Sequence, residues 1–371
     1  MLLSQRVRIY PNKTMQKEFE KMFNYARYSY NAGLELWNEL YKAGGNPTDW
    51  TVRTTYKRTM KKDWEDEFSS TIFDNAIAHL SRAWKSFFEG NSGLPRFKDK
   101  KTSKPSFTFN RKNPYTIRIK NGRLYLPRFK YGVKLSEPIR FGGLIKTVTI
   151  NKRANCYFAS FSIDIPADSI KYRSDKSLPT VGIDSNIGHY DISEELHRWE
   201  TPLRRIEKYY QRISYYQRRM DKKVYKSGNY ETMRVKLQRL HLRVQNIQDD
   251  WLHKFTTHIV RNYHVICIED LDVSQMLKNR RISKHVGRSL FYRFREFLTY
   301  KSKLYGNTLI VADMWYPSTQ RCSSCGNIKK GKDKLSLKNR VYRCSECGFK
   351  SDRDYNSALN LKQYAHSVVN A

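Results

Sequence analysis

The sequence predicts a multidomain α+β protein: a small β-barrel carrying a helical insertion, then an α/β domain interrupted by a zinc ribbon. Three observations predict it. Short alternating strands, punctuated by Asn121-Gly122 and Gly142-Gly143, crowd the stretch from Ser106 to Ile165. Beyond Pro179 the pattern changes to buried apolar strands separated by long helical stretches. Near the end, two C-x2-C pairs, Cys322/Cys325 and Cys344/Cys347, enclose 18 residues, and Gly326 and Gly348 follow them directly. That spacing fits four thiolates closing a structural zinc site.

The elements follow in chain order. Leu2 to Tyr10 alternates apolar and basic residues, reads as a strand stopped by Pro11, and is expected to join the barrel. From Lys13 the period becomes helical through Phe19, Met22, Phe23, Ala26, Tyr30, Leu34 and Trp37, until Gly44-Gly45. A second helix is expected from Thr51 to Trp64. A third begins near Ser69 and runs through Phe73, Ile77, Leu80, Trp84 and Phe87. Its polar face carries Asn75, His79 and Arg82, either as a solvated surface or as a nucleic-acid contact. The basic connector GNSGLPRFKDKKTSK leads to the strands, among them 116–120 and 157–163. Ser174 to Pro179 reads as a linker.

In the second half, Thr180 to Asp184 reads as a buried strand. Thr201-Pro202 reads as a capped helix start. Two helices follow, with Ser227-Gly228 between them, and residues 201–250 carry 13 Lys/Arg against 5 Asp/Glu. His264 to Ile268 and Leu309 to Ala312 are further strands. A final helix is expected from Asn356 to about Tyr364.

Composition narrows the partners. Across 371 residues, 70 Lys+Arg oppose 35 Asp+Glu, a formal charge of +35 spread along the whole chain. Such an excess calls for a polyanion, and neutralising phosphates releases counterions. The 26 tyrosines suit base stacking. No apolar run of ~18 residues and no signal-peptide core is present, so membrane is not the expected partner. Cys156 and Cys267 stand alone in strand-like runs as expected core thiols, and the cysteine usage fits a reducing, cytoplasmic compartment.

Three acids end or open buried elements: Asp184 in VGIDSNIG, Glu269 in VICIEDLDV and Asp354 in DRDYNSALNL. Carboxylates forced together repel and lose solvation unless a cation compensates. Mg²⁺ prefers hard oxygen ligands, and a two-metal site serves phosphodiester chemistry. A lone strand-terminal Asp is more often a turn or capping residue; the set of three in a basic chain points to nuclease chemistry.

The chain resembles the TnpB (OrfB-like) family, transposon-encoded RNA-guided nucleases related to type V CRISPR effectors. The resemblance rests on RVRIYPNKTMQ, FFEGNSGLPRFKDKK, VGID, CIEDLDV, YPSTQRCSSCG, YRCSECGF and DRDYNSALNL, and it covers nearly the full length. It implies a wedge β-barrel (1–11 and 105–173) with a helical recognition insertion (12–104). It further implies a split RuvC-like (RNase H-like) nuclease domain (178–318 and 351–371) around a zinc ribbon (319–350). Asp184, Glu269 and Asp354 then match the catalytic, Mg²⁺-binding triad, with Asp352 as runner-up for the third place. The implied partners are a guide RNA from the transposon end and double-stranded target DNA, with the protein a monomer in a prokaryotic cytoplasm. Asn75 and His79 are the candidates for reading the motif beside the target.

The chain departs from the family where a glycine usually follows the first Asp: Asn186 stands there, and the usual Asp-Gly hairpin turn is missing. Two functions stay open on this basis, an RNA-guided DNA endonuclease and a nuclease-inactive or weakly active RNA-guided repressor. A tyrosine transposase is disfavoured, because no His-hydrophobe-His motif is present.

Overall fold

Alternation decides the first strand. In β1 (Leu2–Tyr10), Leu3, Gln5, Val7 and Ile9 point inward while the residues between them are exposed. The computed structural model describes residues 1–111, 116–166, 174–336 and 338–370. Its contacts group into two units, Met1–Ser169 with Val224–Gln238 and Ile170–Lys223 with Arg239–Ala371.

In the first unit, β1 is followed by α1 (Lys13–Lys42), α2 (Asp49–Thr59) and α3 (Ser70–Phe88). Then come β2 (Ser106–Asn110), β3 (Arg118–Lys120), β4 (Arg123–Tyr125), β5 (Val133–Leu135), β6 (Leu144–Arg153) and β7 (Cys156–Asp164). The strands form one seven-stranded antiparallel sheet in the order β2-β6-β7-β1-β5-β4-β3. The helices therefore enter between two strands of one sheet. Among the described residues no pairing joins β2 to β3, so their backbone pairing does not close the expected barrel. Strands of three residues at that edge offer few backbone groups for closure.

Local chemistry explains the boundaries. Asn12 caps α1 by accepting from Met15 N. The expected second helix stops at Thr59 rather than Trp64, and Asp63–Glu67 make a short 3₁₀ turn. That turn buries Glu65, whose carboxylate accepts from Tyr56 Oη at 2.8 Å and Tyr25 Oη at 3.2 Å. Asn121 (φ 51°) and Gly122 (φ 67°) form the tight β3–β4 turn that the sequence called for. The strand expected over 116–120 contracts to Arg118–Lys120. Cys156 is only half-buried, at the start of β7.

The second unit contains β8 (Thr180–Ser185), β9 (His189–Ile192), β10 (Trp199–Glu200), α4 (Leu203–Asp221) and the later turns of α5 (Gly228–Asn262). It continues with β11 (Val265–Ile268), α6 (Val273–Lys278), α7 (Ser283–Val286), α8 (Phe291–Tyr305) and β12 (Thr308–Val311). It ends with β13 (Val341–Arg343), β14 (Lys350–Asp352) and α9 (Arg353–Val369). The sheet order is β10-β9-β8-β11-β12, with β8, β11 and β12 parallel and β9 and β10 antiparallel.

Both faces are covered, which is why β8 and β11 read as continuous apolar runs. Val181, Ile183, Ile266 and Ile268 pack with Leu252, Phe255 and Ile259 of α5 and Phe294 and Leu298 of α8. Cys267 points the other way, onto Leu361 and Ala365 of α9. Thr201 does not cap α4 as expected. Its backbone N–H and hydroxyl both donate to Gly188 O, at 2.8 and 3.0 Å, and the helix starts after Pro202.

Candidate active site

Strand register brings two of the acids together. β8 and β11 are parallel neighbours with Ile183 opposite Ile268, so the next residues, Asp184 and Glu269, emerge side by side at their carboxyl ends. The two carboxyls lie near enough that the charge of Glu269 raises Asp184. α9 lies directly on β8 because Gly182 has no side chain: a Cβ there would come within 2.1 Å of Ala358 O and 2.4 Å of Lys362 N. That close approach delivers Asp354, the second residue of α9, to the same end of the sheet. Two hydroxyls complete the arrangement, with Ser318 Oγ donating to Glu269 Oε1 at 2.7 Å and Ser357 Oγ donating to the same oxygen at 3.4 Å.

Loss of solvent pushes the Asp184 carboxyl well above its usual range, and the nearby charges of Glu269 and Asp354 push it further. Glu269 is also raised, again first by loss of solvent, while Ser318 pulls it down in part. Asp354 differs. Burial opposes its charge, but His189 and the adjacent Arg353 outweigh that and hold it down at about 2. One end of the sheet thus holds two reluctant carboxylates next to one that is firmly ionised, a donor set that a hard divalent cation would relieve.

Behind Asp354 lies a second layer of charge. In the β8–β9 hairpin Asp191 sits directly opposite Asp184 and is itself buried. Asn186 turns its amide back to donate to Asp184 Oδ2 and, at 3.4 Å, to Asp191 Oδ2. Arg198 donates to Asp191 Oδ1 at 3.0 Å and pairs with Asp352 Oδ1 at 2.7 Å. Asp352 itself caps α9, accepting from Asp354 N at 2.9 Å and Tyr355 N at 3.3 Å.

The four cysteines meet as their spacing predicted. Cys322 Sγ lies 3.7 Å from Cys347 Sγ, Cys325 Sγ lies 3.6 Å from Cys344 Sγ, and all four sulfurs fall within 4.8 Å of one another. A tetrahedral zinc with Zn–S bonds of ~2.3 Å sets its sulfurs ~3.8 Å apart, so the cluster can hold that ion. Backbone N–H groups of Cys347 and Glu346 bring the Cys344 thiol down, toward the thiolate that metal binding needs, while the neighbouring sulfurs push the Cys325 thiol up. Two asparagines of α9 fasten the first knuckle. Asn356 donates to Arg321 O at 2.8 Å and accepts from Ser323 N at 3.0 Å, and Asn360 donates to Ser318 O and Arg321 O at 2.8 and 2.7 Å.

Comparison with known proteins places this arrangement. Family models match residues 1–46 (a helix-turn-helix domain of OrfB), 163–280 (described as "Probable transposase") and 291–361 (Cas12f1-like, TNB domain). A Streptomyces pristinaespiralis protein named "Putative RNA-guided DNA endonuclease" is 30% identical over 363 residues, spanning 96% of this chain and 87% of its own. The chain belongs to the TnpB (OrfB-like) family. The similarly named InsQ of Escherichia coli K12 is 27% identical, covering 97% of this chain and 91% of its own length. The "TnpB-like protein L79" of Acanthamoeba polyphaga mimivirus is 24% identical, with 96% and 72% covered.

Within this TnpB-family chain the structure sorts the expected residues. Asp184 and Glu269 end neighbouring strands, and Asp354, 170 and 85 residues further along the chain, lies near enough for its charge to raise both. Asp352, the other candidate for the third place, spends its carboxylate on the helix cap and Arg198. Asn75 donates to Thr71 O, Thr108 O and Asn110 Oδ1, which ties α3 to β2, and His79 takes the Arg82 guanidinium at 3.1 Å on an exposed face. His189, Asp191, Arg198, Ser318 and Ser357 were not singled out in the sequence. The one available signal was strand alternation in HYDI, which sets Asp191 across from Asp184 once the hairpin is recognised.

Proposed function

We propose that this chain is the RNA-guided DNA endonuclease of an insertion sequence, cutting DNA beside a short adjacent motif by metal-dependent phosphodiester hydrolysis. The observation that carries it is the convergence of Asp184, Glu269 and Asp354 at the carboxyl ends of β8 and β11, beside the head of α9. The names of the relatives point the same way. The mixed five-stranded sheet supports the RuvC-like (RNase H-like) reading of 178–318 and 351–371. The cysteine cluster supports a structural zinc ribbon over 319–350. The sheet with its helical insertion supports a wedge (1–11 and 105–173) and a recognition region (12–104).

In this reading a guide RNA from the transposon end pairs with one strand of the target, and pairing supplies most of the sequence choice. Asp184, Glu269 and Asp354 would hold the catalytic Mg²⁺. The buried carboxylate pair is the observation that fits this group. Mg²⁺ supplies charge neutralisation at the scissile phosphate. Ser318 and Ser357 keep Glu269 turned toward Asp184. Arg353 holds Asp354 ionised from behind. Asn75 and His79 are proposed contacts to the flanking duplex. The chain acts as a monomer in the prokaryotic cytoplasm; among the described residues no helix is long and apolar enough to cross a membrane. A nuclease-inactive repressor would be expected to have lost an acid, and this chain keeps all three.

The test is to sequence the RNA that copurifies with the protein and assay a matched plasmid beside a randomised flank. Cutting restricted to a subset of flanks supports the proposal. Tight guided binding without cutting under any flank or Mg²⁺ level supports the repressor. No copurifying RNA, and no effect of RNA on DNA affinity, removes both.

A further inference from the structure

We infer that His189, Asp191 and Asp354 form a nitrogen–oxygen–oxygen site for a first-row transition ion, a metal position that the three-acid set does not account for. His189 opens β9, Asp191 follows it on the same face, and Asp354 approaches from α9. One ligand atom from each lies within 4.8 Å of the other two. His189 Nε2 is 3.2 Å from Asp191 Oδ2 and 3.6 Å from Asp354 Oδ2. An ion with bonds of ~2.1 Å sets adjacent donors ~3.0 Å apart when octahedral and ~3.4 Å when tetrahedral, so this spacing fits a shared ion.

A second observation points to a ligand. The Asp354 side chain is 2% exposed, yet its Oδ2 has no hydrogen-bond partner, and neither has the buried His189 Nε2. Buried polar atoms are nearly always bonded, so the unbonded Asp354 Oδ2, facing an imidazole that pairs with the two carboxylates only at 3.2 and 3.6 Å, points to a bridging group. The arginine anchors explain the aim. Asp354 Oδ1 is held by Arg353 at 2.8 and 3.0 Å, and Asp191 Oδ1 by Arg198 at 3.0 Å. Each carboxylate is anchored through its Oδ1 by an arginine, the outer support that metal ligands characteristically receive; Asp354 Oδ2 is left open, while Asp191 Oδ2 also takes the Asn186 amide at 3.4 Å. Arg198 and Arg340 approach Asp354 Oδ2 only at 3.7 Å, beyond hydrogen-bond length.

The donor set sets the metal class. An imidazole nitrogen favours Mn²⁺ and later first-row ions over Mg²⁺, which prefers oxygen and water. Asp354 belongs to both groups, so this ion sits at the edge of the three-acid site and gives it a selectivity that carboxylates alone lack.

The test uses the full-length, zinc-loaded protein without nucleic acid, so its failure leaves the nuclease reading standing. Mn²⁺ is titrated in excess Mg²⁺ and followed by electron paramagnetic resonance, with pulsed detection of nitrogen hyperfine coupling. The expected result is one Mn²⁺ that Mg²⁺ does not displace and that carries an imidazole coupling. His189→Gln removes the coupling and weakens binding by ~10-fold or more, since losing even an outer partner costs that much. If His189→Gln loses zinc and so misfolds, the isosteric Asp191→Asn is read instead and must weaken Mn²⁺ binding. Bound Mn²⁺ without nitrogen coupling, coupling that survives His189→Gln, unchanged affinity in Asp191→Asn, or no Mg²⁺-resistant Mn²⁺ at all overturns the proposal.

Discussion

Replacing Asp184 by Asn should make the metal-free protein more stable while removing its chemistry. Asp184 is 4% exposed, and burial together with Glu269 and Asp354 raises its carboxyl well above the usual range. A carboxyl raised in the folded state holds its proton longer there than in the unfolded chain. Ionising it as pH climbs from the ordinary Asp range toward the raised value therefore costs stability, and the cost grows until the pH passes that raised value. An Asn at 184 carries no charge to desolvate. Its Oδ1 can accept from Asn186, and its amide can donate to the Glu269 carboxylate that Asp184 now faces.

The expected gain is about 0.5–2 kcal/mol, the usual range for relieving a functional site, or a rise of ~2–4 °C in Tm per kcal/mol. Cleavage should fall by at least ~10²–10³-fold, the rate equivalent of losing 3–4 kcal/mol of metal-assisted stabilisation. Thermal melts in chelator and single-turnover cleavage on a guided target measure the two effects. A variant that melts lower than wild type, or that cuts within about tenfold of it, would refute the claim that Asp184 is a strained, metal-directed carboxylate.

Other expectations follow from the same geometry. Asn356→Ala removes the bonds to Arg321 O and Ser323 N and should cost about 2–4 kcal/mol in denaturant unfolding while bound zinc stays near one per chain. Cys344→Ser should drop bound zinc from one per chain to none by metal analysis and expose the α9 joint to proteolysis. In metal-free protein, Asp191 and Asp354 raise His189 to about 9. Its charge therefore stabilises the fold fully below the ordinary histidine range, and that contribution is lost as pH rises through 9. An NMR titration with a midpoint near the unperturbed 6.5 would contradict this pairing.

What was legible in the sequence shared a physical basis. Period-2 and period-3.6 patterns located β1, α1 and α3, because burial of one face leaves a periodic trace, while β8 and β11 stood out as continuous apolar runs because both their faces are covered. The cysteine knuckles were legible because tetrahedral thiolate coordination dictates their spacing. The three acids were legible as strand and helix termini, and register then explains why Asp184 and Glu269 meet. What stayed hidden depends on tertiary contact. The helix over 291–305 was masked by its basic and aromatic residues, although Phe291, Phe294 and Leu298 fall on one face. The roles of His189, Asp191 and Arg198 appear only when the hairpin after Asp184 is folded back against α9. Thr201 looked like a cap, but Gly188 O took its hydroxyl. Asn186, read first as a lost glycine, instead becomes a donor to the Asp184 carboxylate.

The most direct measurement is guided cleavage in parallel with guided binding, on a target matched to the copurified RNA, for wild type, Asp184→Ala and Glu269→Gln across a Mg²⁺ titration. Wild type should cut in a Mg²⁺-dependent way, and both variants should bind the same target without cutting. Cleavage that persists in either variant, or a wild type that binds and never cuts, would contradict the assignment of these carboxylates to a nuclease centre.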